Sequence, residues 1–302
     1  MARQRGRKVH GILLLNKPVG MTSNGVLQHV KHLFNAQKAG HTGSLDKLAS
    51  GLLPICFGEA TKFSGFLLEA DKHYQAVCTL GMITTTGDAE GETLETHSTE
   101  GIEFEQVTQV VQAFVGTIQQ IPPMHSALKR QGQALYKLAR QGQVVERLPR
   151  NITIYEIVLH GLVANQLTLE VHCSKGTYIR TLAEDIGKAL GCGAYLSALH
   201  RTKVGHYHDM TDLTTLEQVR QQGKEETLDQ FLIPMHSILA HYPQVVLSTD
   251  MTYYIRQGHP VQVAHAPTKG LVKLFSNNNN FLGIGEVLED GRVAPKRLVC
   301  FN

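Results

Sequence analysis

The pattern of apolar and polar positions divides the chain into a long first part and a short second part. From Gly11 the run GILLLN is apolar at almost every position, which predicts a buried strand stopped by the turn-prone KPVG. Ser23 is then a suitable N-cap for a helix carrying Val26, Leu27, Val30, Leu33 and Phe34 on one face. After the glycine-rich stretch Gly40–Gly51, EATKFSGFLLEA returns to helical spacing. HYQAVCTLG alternates instead, with Tyr74, Ala76, Cys78 and Leu80 on one side, as a half-buried strand does. FEQVTQVVQAFVG and QALYKLARQG predict helices closed by glycine. RNITIYEIVLHGLVANQLTLEVHCS predicts two strands joined by a turn, and GTYIRTLAEDIGKALG a helix with Ile179, Leu182, Ala183, Ile186 and Leu190 inward. Strands and helices come in mixed order with no repeating βαβ period. The expected class is therefore α+β, with a mixed, largely antiparallel sheet flanked by helices.

Beyond about Leu239 the pattern changes. YPQVVLS, GHPVQVA, GLVKLFS, FLGIGEVL and GRVAPKRLVCF are short strand-like runs separated by Gly, Pro and NNNN. They predict a small all-β module. The expected division is a domain over residues 1–240, of which 1–9 form a disordered basic tail, and a second over residues 245–302.

Charge changes this picture locally. The whole chain of 302 residues has a formal net charge of only +3, which excludes nothing. Between Met124 and Arg150, however, Lys129, Arg130, Lys137, Arg140, Arg147 and Arg150 face Glu146 alone, and Thr84–Glu105 holds seven acids and no Lys or Arg. Such segregation fits either a basic surface for a polyanion or ordinary solvated faces. Five cysteines, odd in number and without a CxxC pair, argue for reduced thiols in a cytoplasmic protein. GILLL is too short for a secretory leader, and no run reaches membrane-spanning length.

The candidate chemistry centres on GHTGSLDKLASG, where Asp46 sits among Leu45, Leu48 and Ala49. Two readings are open: a helix N-cap, or a partly desolvated carboxylate that needs a partner to stay ionised. His41 is a turn histidine, a general base or a metal ligand, although no other His, Cys or acid stands at ligand spacing. The order of residues fits neither a phosphate-binding P-loop nor a serine nucleophile elbow at Ser44. Arg180, near the first turn of a helix, either faces solvent or reaches a carboxylate from another segment with its planar fork. Tyr74 is either core or a stacking surface for a base.

Together these segments resemble the TruB family of pseudouridine synthases. GILLLNKPVGMTS resembles the family's first motif, and AGHTGSLDKLASGLLPICFGEATKF resembles its catalytic motif, usually G-H-T-G-T-L-D-P-L-A-T-G. DKHYQAVCTLG, TTTGDAEGE, QQIPPMHSALKRQGQALYKLARQG and CSKGTYIRTLAEDIGKALGCGAYLSALHRTKVG follow in the family's order, and the tail resembles a PUA-type RNA-binding barrel. The resemblance implies isomerisation of a T-loop uridine of tRNA, at the position conventionally numbered 55, to pseudouridine. The base is flipped out, the N-glycosidic bond breaks, and the uracil rejoins the sugar through C5. No cofactor or metal is consumed. It further implies that Asp46 is the catalytic aspartate, Arg180 its ion-pair partner and Tyr74 the ring stacking on the base. Leu199 and Tyr178 would pack nearby, His41 would fill the space left by the flipped base, and Lys17 with Pro18 would brace the loop. Lys129 and Arg130 are expected to bind RNA. The expected partner is tRNA alone, bound by a monomer acting without a guide ribonucleoprotein. The alternative is a tRNA-binding or folding protein whose catalysis is dispensable. Four positions depart from the family pattern: Lys47 for proline, Ser50 for threonine, His125 for tyrosine and His200 for arginine. The last removes a permanent cation, so phosphate contact there is expected to be weaker or pH-dependent.

Overall fold

The computed structural model describes residues 6–208, 213–222 and 225–300. The first part contains β1 (Gly11–Lys17), α1 (Ser23–Leu33), β2 (Ala39–His41), β3 (Ala49–Phe57), α2 (Ser64–Glu69), β4 (Lys72–Leu80), β5 (Met82–Thr84) and β6 (Thr93–Thr96). It continues through α3 (Phe104–Gln112), β7 (Gly116–Gln120), β8 (Lys129–Arg130), β9 (Gln133–Ala134), α4 (Leu135–Arg140), β10 (Arg150–Val163) and β11 (Gln166–Cys173). Then come α5 (Ile179–Ala189), β12 (Ala194–Val204), β13 (Tyr207–His208), β14 (Thr214–Thr215), α6 (Leu216–Gln221) and β15 (Leu232–Ile233). The last part holds β16 (Gln244–Leu247), α7 (Thr249–Arg256), β17 (Gly270–Ser276), β18 (Phe281–Val287) and β19 (Val293–Leu298).

One large sheet runs β14-β1-β3-β12-β4-β11-β10-β7, with β2, β13 and β15 attached beside this path. Among the described residues only β1–β14 and β3–β12 pair parallel within it, so the sheet is mixed and largely antiparallel. Its burial explains the sequence pattern. Ile12 and Leu14 of β1 pack with Phe63 and Leu67 on one face, while Leu13 and Leu15 pack with Val26, Val30 and Leu216 on the other. A strand covered on both sides has no polar face to alternate with. On β4, Tyr74, Ala76, Cys78 and Leu80 join Val107 of α3 and Leu182, Ala183 and Ile186 of α5. The opposite face of this part of the sheet exposes Gln75 and Thr168.

Three local expectations are corrected. Helix α1 is capped by Thr22, whose side chain accepts from the Gly25 amide, and Ser23 turns its hydroxyl elsewhere. Residues 1–5 of the supposed basic tail lie outside the described residues, but Arg7 is fixed: its Nε donates to the Phe34 carbonyl at 2.9 Å and its guanidinium pairs with Asp229 at 2.7 Å. The second part is not all-β. Helix α7 interrupts it, capped by Ser248, and the four strands form an open sheet, β16-β17-β18-β19, with no closed barrel among the described residues. An eight-residue helix between two strands offers too few turns for its periodicity to stand out.

Candidate active site

Asp46 does not begin a helix. The chain from Ala49 runs straight into β3, and the residues before it form a loop fastened from three sides. Ser23 grips Leu45 twice, its hydroxyl donating to the Leu45 carbonyl at 2.9 Å and accepting from the Leu45 amide at 2.7 Å. Lys17, wholly buried, donates from Nζ to the carbonyls of Ala49 at 2.6 Å and Pro18 at 2.8 Å. Arg201, also buried, reaches the Leu52 carbonyl at 2.8 Å and the Gly43 carbonyl at 3.2 Å. Gly51 is required here: its φ is +100° and a Cβ would stand 2.4 Å from the Arg201 carbonyl oxygen. Burial lowers the Lys17 ammonium to about 8, against the opposing pull of Asp46.

Arg180 arrives from the first turn of α5. Its Nε lies 2.8 Å from Asp46 Oδ2, and the remaining nitrogens are used up by the Thr86 carbonyl at 3.1 Å, the His125 carbonyl at 2.7 Å and the Asp88 carboxylate at 3.6 Å. The Arg180 side chain is 4% exposed while that of Asp46 is 42% exposed. The pair therefore presents an open carboxylate backed by a buried cation. Gln120 fixes the start of α5, accepting from the Tyr178 amide at 2.8 Å and donating to its carbonyl at 3.0 Å. Asp88 is held in turn by the Thr86 hydroxyl at 2.6 Å and the Glu90 amide at 3.0 Å. Partial burial pushes the Asp46 carboxyl above the ordinary carboxylate range; Arg180 opposes that rise, and Asp88 reinforces it.

Tyr74 stands opposite Arg201 in the β4–β12 ladder, and its hydroxyl hydrogen-bonds with the Arg201 side chain. Burial raises the Tyr74 phenol and Arg201 counteracts this. Leu199 is in register with both Ala49 and Ala76, at the junction of β3, β12 and β4. Tyr178, the residue before α5, has its phenol raised by burial, with Ser126 and Arg180 among the groups opposing the rise. His41, at the end of β2, keeps a buried Nδ1 with no hydrogen-bond partner, and burial and then Arg201 lower its basicity. Pro18 is half-buried beside the Lys17 ammonium.

Asp46, Arg180, Tyr74, Leu199, Tyr178, His41, Lys17 and Pro18 thus gather round one loop. Lys129 and Arg130 do not join them. They lie exposed on the β8–β9 hairpin, with Arg130 donating to the Glu146 carbonyl at 2.8 Å. The segment carrying them touches the centre through the His125 carbonyl on Arg180. Sequence reasoning missed Arg201, Asp88 and Gln120. Asp88 lay within a stretch read as acidic and as a family segment but given no role of its own, and Arg201 within a strand whose neighbours drew attention first.

Three departures also find partners. Lys47 faces Glu90 at 3.7 Å, and Ser50 Oγ lies 2.8 Å from His200 Nδ1. His125 serves Arg180 through its backbone, so its side-chain identity does not enter that contact.

Residues 31–179 match the family described as TruB family pseudouridylate synthase, N-terminal domain, residues 180–240 match the tRNA pseudouridylate synthase B C-terminal domain, and residues 243–299 match Pseudouridine synthase II TruB, C-terminal. The chain is 56% identical to tRNA pseudouridine synthase B of Nitrosococcus oceani, over 98% of its own length and 97% of that protein's. This chain belongs to the TruB family of pseudouridine synthases. To the protein of the same name from Coxiella burnetii it is 52% identical over 97% of this chain and 96% of that one. Among solved structures, a Cbf5–Nop10–Gar1 complex superposes with a TM-score of 0.71 at 26% identity, covering 96% of this chain and 84% of that one. An H/ACA ribonucleoprotein bound to a substrate RNA containing 2′-deoxyuridine shares the fold at a TM-score of 0.72 and 24% identity, over 97% of this chain and 86% of that one. Among the described residues no cluster of His, Cys, Asp and Glu is arranged to hold a metal, and no helix is long and apolar enough to cross a membrane.

Proposed function

We propose that this pseudouridine synthase acts on tRNA, converting one T-loop uridine to pseudouridine with Asp46 as the reacting carboxylate. The observation that carries this reading is the half-open Asp46 carboxylate backed by the buried Arg180 guanidinium at 2.8 Å. The reaction is an isomerisation: the N1–C1′ bond breaks, a C5–C1′ bond forms, and the proton leaving C5 is balanced by one gained at N1. An anionic oxygen at the sugar serves such a reaction as nucleophile or as base. Arg180 orients it through Oδ2, while the Asp46 side chain stays 42% exposed to an incoming substrate. Tyr74 offers its ring to the base, and Leu199 and Tyr178 close the pocket around it. Arg201 holds the Tyr74 hydroxyl and, through the Gly43 carbonyl, the loop that bears Asp46. Lys129, Arg130 and the other cations of residues 124–150 attract the phosphate backbone. The small terminal sheet supplies a second RNA surface, and the enzyme works as a monomer in the cytoplasm.

The test is incubation of the purified protein with unmodified tRNA, followed by carbodiimide-stop primer extension. Wild type should produce a single stop in the T-loop, whereas Asp46→Asn should bind tRNA with unchanged affinity and give no stop. Full activity in that variant would end the assignment of Asp46. The cationic segment also supports a role in tRNA binding or folding that outlasts catalysis, and retained binding by Asp46→Asn is the measurement that reports on it.

A further inference from the structure

The chain crosses from the large sheet to the terminal sheet through the short turn Met235–Leu239 and residues 240–243. Two histidines lie on this crossing, and a third faces it. The His236 ring stands edge-on to Phe275 of β17 at 5.4 Å between centroids, and tilted against Phe281 of β18 at 5.9 Å. Those two phenyl rings pack on each other at 5.5 Å, and Phe281 packs on Phe63 of the first part, also at 5.5 Å. His206, between β12 and β13, lies 4.0 Å from the Tyr207 ring and 5.5 Å from the His241 ring. Its Nε2 is buried without a hydrogen-bond partner. Beside it the Tyr207 hydroxyl and Ser237 Oγ share a hydrogen bond of 2.6 Å, which ties the crossing to the large sheet.

Imidazole is the side chain whose charge changes most readily near neutrality. Here a proton would arrive without a counter-charge. Among the described residues the charged group whose field reaches His236 is Lys273 of β17, and it repels a proton there. His241 does the same to His206, with a backbone hydrogen bond to Ser237 as the lesser, opposing effect. No Asp or Glu among the described residues enters either environment, and Phe281 and Phe63 carry no charge. A phenyl face does attract a cation, which favours a proton on His236. Burial and then Lys273 outweigh that attraction, and both rings are less basic than free imidazole. At His206 a proton on Nε2 would be a buried donor with nothing to receive it. We propose that the junction between the large sheet and the terminal sheet is an acid-sensitive clasp, closed while His236 and His206 are neutral and loosened when they take up protons. The clasp goes beyond the tRNA reading and does not depend on it. Because both rings are less basic in the closed junction than in solvent, its stabilisation is complete above the ordinary histidine value of 6.5 and is lost as pH falls below it.

The experiment is hydrogen exchange of the whole chain, read by mass spectrometry at about pH 7.5 and about pH 5 and corrected for the intrinsic pH dependence of exchange. Peptides from β17, β18 and residues 235–242 should lose about tenfold in protection at the lower pH, the linkage of one proton over one pH unit. Peptides from β4 and β11 should keep theirs. His236→Phe keeps a ring but removes the titrating nitrogens, so the loss should shrink to about threefold, and adding His206→Phe should remove the remainder. Lys273→Gln leaves every ring of the junction in place and removes the repelling charge; it should shrink the loss as well, and it carries the test should His236→Phe not fold. Equal protection at both pH values in wild type, a loss shared equally by β4 and β11, or an undiminished loss in either folded variant would each overturn the clasp.

Discussion

Two sets of cations in this protein do opposite things. Arg180 and Arg201 are buried, and their nitrogens are committed to named carbonyls, two carboxylates and a phenol. Lys129, Arg130 and their neighbours stand in solvent, interleaved with apolar side chains such as Val144, 83% exposed, and Leu148. A buried guanidinium is costly to desolvate and is retained only where fixed partners replace its water; such a group sets geometry. An exposed cation keeps its water, acts over a distance set by salt and sets affinity. On the proposed function, position and attraction fall to different residues, and mutation of one set should leave the other intact.

The comparison breaks most visibly at Arg180. Arg180→Lys keeps the charge but loses the fork that spans Asp46, Thr86 and His125, so kcat should fall at least about 100-fold while tRNA affinity holds. The buried partners left unsatisfied should also lower stability by about 3 kcal/mol, readable in a denaturant titration. Next in size, the triple variant Lys129→Ala, Arg130→Ala, Lys137→Ala should raise Kd about tenfold at physiological salt and leave kcat unchanged. The slope of log Kd against log salt should fall by about one for each phosphate contact removed. A fall in kcat there would merge the two sets. Asp88→Asn sharpens the first set: Asp88 raises the Asp46 carboxyl, so its removal lets Asp46 ionise at lower pH. The acid limb of the kcat profile should therefore move toward lower pH, and a shift upward would contradict the arrangement. The smallest effect belongs to Lys47→Pro. It trades an exposed ion pair with Glu90 for a stiffer loop, two contributions each under about 1 kcal/mol, so stability should change by less than that amount.

What was readable from the residues follows the same division. The alternation through Tyr74, the buried run of β1 and the position of Arg180 at a helix start are local patterns, and each lies where the pattern indicated. The family motifs carried the grouping of Asp46 with Arg180, 134 positions apart, which spacing alone left open. The roles of Arg201, Asp88, Gln120 and Ser23 were hidden because each depends on a carbonyl, an amide or a carboxylate supplied by a distant segment. Ser23 is instructive: its sequence context suited a helix cap as well as it suits the clamp on Leu45, and only the neighbouring Thr22, taking the cap, releases it. The same holds for Lys47, whose partner Glu90 comes from the acidic stretch.

The terminal sheet meets the rest of the molecule differently from a tethered module. Phe275, Phe281 and Ile284 share one apolar cluster with Phe63, Leu67 and Leu239, and Glu59 accepts from both Lys62 and the Cys300 amide while Arg297 donates to the Lys62 carbonyl. Interfaces between loosely joined domains are more polar than this and permit hinge motion. Here the far sheet shares its apolar cluster with the first part of the chain. On the proposed function, the span from this sheet to Asp46 is fixed before any RNA arrives.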